Sequence, residues 1–173
     1  MRTSKLLVPG LALTLFALPG LADAKDHGNG NGNGNLECVA LHGPFTSQTG
    51  DPCESPVGLC THGLLEGEFE ATYDFTFLTL QPDPNDPSRS VYTGISVVTA
   101  LDGSGTLYTE DTGYVQMSAD GSPAAFVTKA VIDDATQSYK KTVGGFVATG
   151  TLDFVTGSAE GTYSAVLCGK GKK

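Results

Sequence analysis

Asp111 is the residue whose surroundings most suggest chemistry. It stands in the run Glu110-Asp111-Thr112-Gly113, between Tyr108 and Tyr114. A carboxylate at the mouth of a β-barrel could polarise a bound ligand. An acidic residue followed by Thr and Gly is also typical of a turn or bulge, where Asp111 and Thr112 would bond to their own backbone. We expect the turn, and Asp111 is kept as a candidate ligand-binding residue.

The other chemistry-bearing residues form no recognisable catalytic or metal-binding motif. The run Asp83-Pro84-Asn85-Asp86 has the oxygen density of a calcium loop, but it lacks the glycine and the distal glutamate of an EF-hand. His42 and His62 lie beside glycines in predicted loops, and the chain has no Gly-x-Ser-x-Gly elbow. Zinc would depend on cysteines that we expect to be oxidised. The sequence therefore predicts no metal, no cofactor and no nucleophilic catalyst.

Four cysteines, an even number, favour two disulfides if the chain enters an oxidising compartment. Three pairings of Cys38, Cys53, Cys60 and Cys168 are available. Cys53 and Cys60 flank a short loop, whereas Cys38 and Cys168 fall on what we predict to be the first and last strands. We therefore predict the bonds Cys53–Cys60 and Cys38–Cys168.

The amino terminus has the order of a secretory signal peptide. Arg2 and Lys5 precede a mostly apolar run over residues 6–16, and Ala22-Asp23-Ala24 supplies a small-x-small cleavage site. The run is too short for a membrane-spanning helix, which needs about 20 apolar residues. We expect residues 1–24 to be a signal peptide, residues 25–35 a flexible Gly/Asn leader, and residues 36–173 a single β-barrel domain. The protein is then secreted or periplasmic.

Loss of the signal peptide makes the chain more acidic. Arg2, Lys5 and Asp23 leave with it, so that ten basic and nineteen acidic residues become eight and eighteen, a net charge of −10. Such a body repels a phosphate backbone and an anionic membrane surface. We expect no nucleic-acid partner and no membrane insertion.

An alternation of apolar and polar side chains after Cys60 predicts a half-buried antiparallel strand over residues 64–77. Three glutamates on its polar face are expected to be a solvated surface and not a catalytic row: Glu66, Glu68 and Glu70. The apolar face consists of Leu65, Phe69, Ala71, Tyr73, Phe75 and Phe77.

The rest of the chain predicts further short strands. A proline-rich break over residues 81–87 is followed by renewed alternation over residues 91–101. Asp102-Gly103 and Asp120-Gly121 are hairpin-type turns, which places strands near residues 105–119 and 124–132. One side of residues 91–101 carries Val91, Ile95, Val97 and Leu101. The last two strands present Phe146, Ala148, Leu152 and Phe154, and then Tyr163, Ala165 and Leu167.

This pattern predicts an all-β fold, an antiparallel barrel of about eight strands, with a β-sandwich as the alternative. In a barrel the first and last strands pair, which removes exposed edges. The inward parity is apolar almost throughout and the charged residues map outward. We therefore do not expect acid–base chemistry inside the barrel.

The run Thr142-Val143-Gly144-Gly145-Phe146-Val147-Ala148-Thr149-Gly150 resembles the glycine-rich strand of the allene oxide cyclase and dirigent-like barrels. Together with Ser55–Thr61, Asp111–Gly113, Gly150–Asp153 and Glu160–Tyr163, it is similar to secreted bacterial proteins of unknown function in that class. The resemblance implies a calycin-type barrel, in which Gly144 and Gly145 allow a bend or bulge. It carries no catalytic residue over to this chain.

Two functions follow as hypotheses. The favoured one is an exported, non-catalytic barrel that serves as a structural or interaction module, its interior filled by its own side chains. The alternative is a barrel that binds a small apolar ligand or acts like a cyclase, with a pocket of several hundred cubic ångströms. Assembly into a homo-oligomer is left open. The candidate ligand-binding residues are Phe69, Tyr73, Phe75, Tyr108, Asp111, Phe146 and Tyr163.

Overall fold

A computed structural model describes residues 36–50, 53–119 and 121–170 of the chain, with only the backbone of Lys170. The predicted signal peptide and the predicted Gly/Asn leader lie outside these residues. In the part of the chain that is described, helix is limited to one 3-10 turn at Gln137–Tyr139. None of the described residues form a helix with the length and hydropathy that crossing a bilayer requires.

The described residues form eight antiparallel strands that close into a barrel in chain order, which confirms the predicted fold class. Short turns between successive strands bring each strand beside the next one in the sequence, which produces this topology. The strands are β1 (Leu36–Gly50), β2 (Cys60–Leu65), β3 (Ala71–Asp83), β4 (Asp86–Ala100), β5 (Thr106–Gln116), β6 (Ala124–Ala135), β7 (Val143–Leu152) and β8 (Ser158–Lys170).

The barrel closes between β1 and β8, whose register runs from Leu36 opposite Lys170 to Gln48 opposite Ser158. Cys38 and Cys168 face each other in this register and form a disulfide with their Cα atoms 4.0 Å apart. A second disulfide joins Cys53 to Cys60 at the start of β2. Both predicted pairings are confirmed, and two disulfides are compatible with an oxidising compartment.

The predicted single strand over residues 64–77 is wrong, because the chain reverses within it. β2 ends at Leu65 and β3 begins at Ala71, with Leu65 paired directly to Ala71. Gly67 has a φ of 93°, a conformation that glycine adopts without steric cost, and it allows the tight connection. The parity of the apolar residues survives the reversal, which is why the sequence looked continuous. Glu66, Glu68 and Glu70 are exposed as expected, although they lie in the loop.

The predicted proline-rich break is shorter than expected. β3 continues through Pro82 to Asp83, β4 starts at Asp86, and only Pro84 and Asn85 form the hairpin turn. Asp83 accepts hydrogen bonds from the backbone N–H of Asn85 and from the guanidinium of Arg89. The side chain of Asp83 therefore stabilises the turn.

β4 has the opposite orientation from the one that its apolar residues suggest. Val91, Ile95 and Val97 lie on the outer surface, Ile95 with 44% of its area exposed. The inward parity of β4 is Tyr92, Gly94, Ser96, Val98 and Ala100, all buried. A strand with apolar residues on both faces gives no parity signal strong enough to fix its orientation.

Candidate ligand-binding cavity

The inward side chains leave a cavity of about 120 Å³ inside the barrel. Aromatic rings form much of its wall, and they pack edge to face: the ring centroid of Phe45 lies 5.9 Å from that of Phe126 and 6.4 Å from that of Tyr73. Phe75 and Tyr92 make a similar contact at 5.9 Å. The cavity is smaller than the range of about 300–1,000 Å³ that is usual for drug-sized ligands.

One carboxyl group lies in this wall. Asp111 is 3% exposed, in the middle of β5, opposite Gly94 on β4 and Ala130 on β6. Its neighbours on the inward face supply hydroxyls: Thr109 donates to Oδ1 at 2.6 Å, and Ser96 donates to Oδ2. Burial raises the pKa of Asp111 above the usual value for an aspartate, and the two hydroxyls oppose that rise only in part.

The predictions of a turn at Asp111 and of an interior without charged residues are therefore wrong. Asp111 continues the inward parity of Leu107 and Thr109, and the β4–β5 ladder runs through it without interruption. Its carboxyl group bonds to side chains on β4 and β5 and not to its own backbone.

Tyrosine hydroxyls provide further polar groups inside the barrel. The hydroxyl of Tyr92 lies 2.6 Å from Oγ1 of Thr128 and donates to the carbonyl of Val127 at 3.3 Å. Burial raises the pKa of Tyr92 to about 12, and the nearby Asp111 carboxylate adds to the rise. Burial also raises the pKa of Tyr73, against a hydrogen bond with Ser47. Both phenols therefore stay protonated at neutral pH and act as hydrogen-bond donors or acceptors.

The two ends of the barrel differ in accessibility. An inward-facing side chain can be wetted only from the cavity or from a barrel mouth, so its exposed fraction reports where space remains. Among the residues that line the cavity, the partly exposed ones lie at mid-barrel or toward the end with the β3–β4 hairpin, which we call the open end. Those nearest the open end are Ser47, Thr49, Thr61, Phe77, Phe126 and Leu152. We infer that a ligand would enter there.

The opposite, closed end is sealed by the β2–β3 loop. Phe69 folds inward from this loop and packs against the rings of Tyr139 and Phe146, with centroids 6.0 and 6.2 Å apart. The hydroxyl of Tyr163, on β8, accepts from the N–H of Phe69 at 3.1 Å and is 3.0 Å from the carbonyls of Glu66 and Phe69. These bonds hold the loop across the barrel.

The structure places five of the seven candidate residues around the cavity: Tyr73, Phe75, Asp111, Phe146 and Tyr163. Phe69 belongs to the seal of the closed end. Tyr108 is 39% exposed on the outer surface and does not line the cavity, because it precedes Thr109 and therefore faces the opposite side of β5.

Sequence reasoning missed Ser96, Thr109, Tyr92 and Thr128, which the structure places on the same cavity wall. A signal for Thr109 was present, since it stands two positions before Asp111 and shares its parity. Ser96 and Tyr92 could not be found in this way, because the apolar residues of β4 pointed to the wrong face.

Among the described residues, no cluster of three or more His, Cys, Asp or Glu side chains could hold a metal ion. In the former calcium candidate, the N–H of Asn85 and then the guanidinium of Arg89 lower the pKa of Asp83. The Asp83 carboxylate therefore already accepts hydrogen bonds from Asn85 and Arg89.

No protein-family model matches this chain, and searches of curated proteins and of solved structures likewise find no match. What can be said of its function therefore rests on the cavity and its wall.

Proposed function

We propose that this protein is a binding barrel that takes up a small, mainly apolar molecule through its open end and fixes one polar group of that molecule at Asp111. The observation that carries the proposal is the buried Asp111 carboxyl beside unfilled space. A barrel that only needed a filled interior would be more stable with an apolar side chain at this position, because burying a carboxyl group is costly.

The composition of the wall supports the same function. Apolar and aromatic walls with a few polar groups are typical of sites for small molecules. Ser96 and Thr109 hold the carboxyl group, and Tyr92 and Thr128 form a second polar pair. The resemblance to allene oxide cyclase and dirigent-like barrels agrees with an interior that encloses a small molecule. We propose no catalytic role for any residue.

The cavity volume favours a second candidate function, the structural or interaction module. A space of about 120 Å³ leaves most of the interior to side chains, as in small barrels that fill themselves. In both cases we propose that the protein is exported to the periplasm or cell exterior, on the strength of the signal-peptide pattern of residues 1–24.

Native mass spectrometry of protein purified from its source tests the binding function. We expect an additional mass that is lost on denaturation. Replacing Ala148, which lines the cavity, by leucine fills the space, so the Ala148→Leu variant should lose this mass and the chemical-shift changes that added isobutanol causes in wild type.

Ala125 offers the matched control, since it lies exposed on the outer face of β6. Ala125→Leu makes the same change in side-chain volume away from the cavity and should bind as wild type does. Equal binding by the two variants, or no bound molecule and no isobutanol shifts in wild type, would rule out the interior as a binding site and leave the structural module.

A further inference from the structure

The Asp111 carboxylate can accept more hydrogen bonds than the protein gives it. An ionised carboxylate accepts about four hydrogen bonds, and Asp111 receives one at each oxygen, from Thr109 and from Ser96. Hydroxyls that donate to both oxygens stabilise the anionic form. A ligand group that reaches Asp111 therefore gains most if it donates hydrogen bonds.

The cavity wall supplies no positive charge to this carboxylate. Among the described residues that line the cavity, the titratable groups other than Asp111 are the phenols of Tyr73, Tyr92 and Tyr163. No lysine, arginine or histidine of that wall neutralises Asp111. An isolated buried carboxylate is unfavourable unless it is protonated or paired, so a ligand that carries its own cation would complete the site.

The aromatic part of the wall suits the same kind of ligand. The faces of Phe, Tyr and Trp rings attract cations by about 0.5–2 kcal/mol each, and more strongly where water is excluded. Phe45, Tyr73, Phe75, Tyr92 and Phe126 line the cavity that Asp111 faces. The chain as a whole has a net charge of −9, which raises the local concentration of cations around it.

From these features we infer that the ligand is a small organic amine, bound as its ammonium ion, with the ammonium paired to the Asp111 carboxylate and its apolar body against the aromatic wall. The inference rests on the proposed function. The enclosed part of the amine is small, because a cavity of about 120 Å³ is below the ~150 Å³ of an apolar cavity that accommodates benzene.

Isobutylamine and isobutanol make a matched pair of probes, since they share a carbon skeleton and differ in charge. Titration followed by backbone amide shifts should show isobutylammonium binding at least about tenfold more tightly than isobutanol near neutral pH. Asp111→Asn keeps the shape of the side chain and removes its charge. It should weaken isobutylammonium at least about tenfold and change isobutanol by less than about twofold.

Glu110→Gln is the matched control variant. It removes one negative charge from the next residue of β5, on the outer face, and should leave both affinities unchanged. Retention of the thermal unfolding transition by both variants shows that they are folded.

The pH dependence of binding gives an independent readout. Isobutylammonium requires ionised Asp111, so its affinity should rise with pH as Asp111 titrates and then level off. Isobutanol binding as tightly as isobutylammonium, or amine affinity that falls as pH rises, would overturn the amine inference and leave the binding function intact. Binding of neither probe to wild type would overturn the inference, and the mass measurement then decides the binding function separately.

Discussion

At the scale of single residues, Asp111 lowers the stability of the barrel but serves the proposed binding function. Its carboxyl group lies in an aromatic interior with two hydroxyl donors and no lining cation among the described residues. Burying a carboxyl group that has no charged partner costs free energy that an apolar side chain of similar volume would not cost. An interior selected only for stability would not keep this residue.

Replacement of Asp111 by asparagine should therefore raise the free energy of unfolding of the free protein near neutral pH, because it removes the cost of desolvating the ionised carboxylate. A carboxyl group whose pKa is raised by folding binds more protons in the folded state. Its contribution to stability falls as pH rises from about 4 through the folded pKa of Asp111. The advantage of Asp111→Asn should accordingly grow over that window, as measured by urea unfolding at a series of pH values.

Comparison of wild type with Asp111→Asn isolates the contribution of Asp111 to the pH dependence of stability. Hydrogen bonds lower the pKa values of Asp83, Asp86, Asp102 and Asp153 and give the opposite pH dependence, but they do so equally in both. A stability difference that does not change with pH would mean that Asp111 titrates as an ordinary surface carboxylate.

At the scale of strands, sequence periodicity predicted the fold well and the candidate site only in part. Turn dipeptides and alternation identify most of the strands, because one buried face leaves a period of two in the sequence. Alternation does not reveal a chain reversal when the inward residues keep the same odd numbering on both strands, as Leu65 and Ala71 do. It also fails for β4, where apolar Val91, Ile95 and Val97 face outward and polar Ser96 faces the cavity. The wall of the cavity depends on that strand.

The two glycines at the start of β7 were predicted to allow a bend or a bulge, and β7 has no bulge against β8 there. The β7–β8 register is unbroken at Gly144 and Gly145, and Gly144 has a φ of 125°. A side chain at Gly144 would collide with the carbonyl oxygen of Val166 on β8. These glycines permit close approach of neighbouring strands.

Gly144→Ala should lower the free energy of unfolding by about 2 kcal/mol or more, since it combines an unfavourable φ with a backbone collision. Urea unfolding measures the loss. Gly50→Ala, at the end of β1 with no neighbouring atom within 4 Å of the added carbon, should change stability by less than about 0.5 kcal/mol. Similar costs at the two positions would contradict this account.

At the scale of the whole barrel, the two disulfides differ in how much of the chain they restrain. Cys38–Cys168 spans a sequence separation of 130 residues and Cys53–Cys60 one of 7. Loop-closure entropy predicts that removing the first bond costs about 5 kcal/mol and removing the second about 2 kcal/mol. Cys-to-Ser pairs at each bridge, compared by urea unfolding, should show this order. Equal losses would mean that unfolded-chain entropy does not determine the effect.

The bridge between β1 and β8 also turns residues 38–168 into a covalent ring. A protease that cuts one exposed hairpin turn, such as Pro84–Asn85, opens the ring without producing separate fragments. The nicked chain keeps its mass apart from one added water, and the eight strands stay tethered at both sides of the cut. For the exported protein that we propose, one such cleavage by an external protease would leave the chain covalently in one piece.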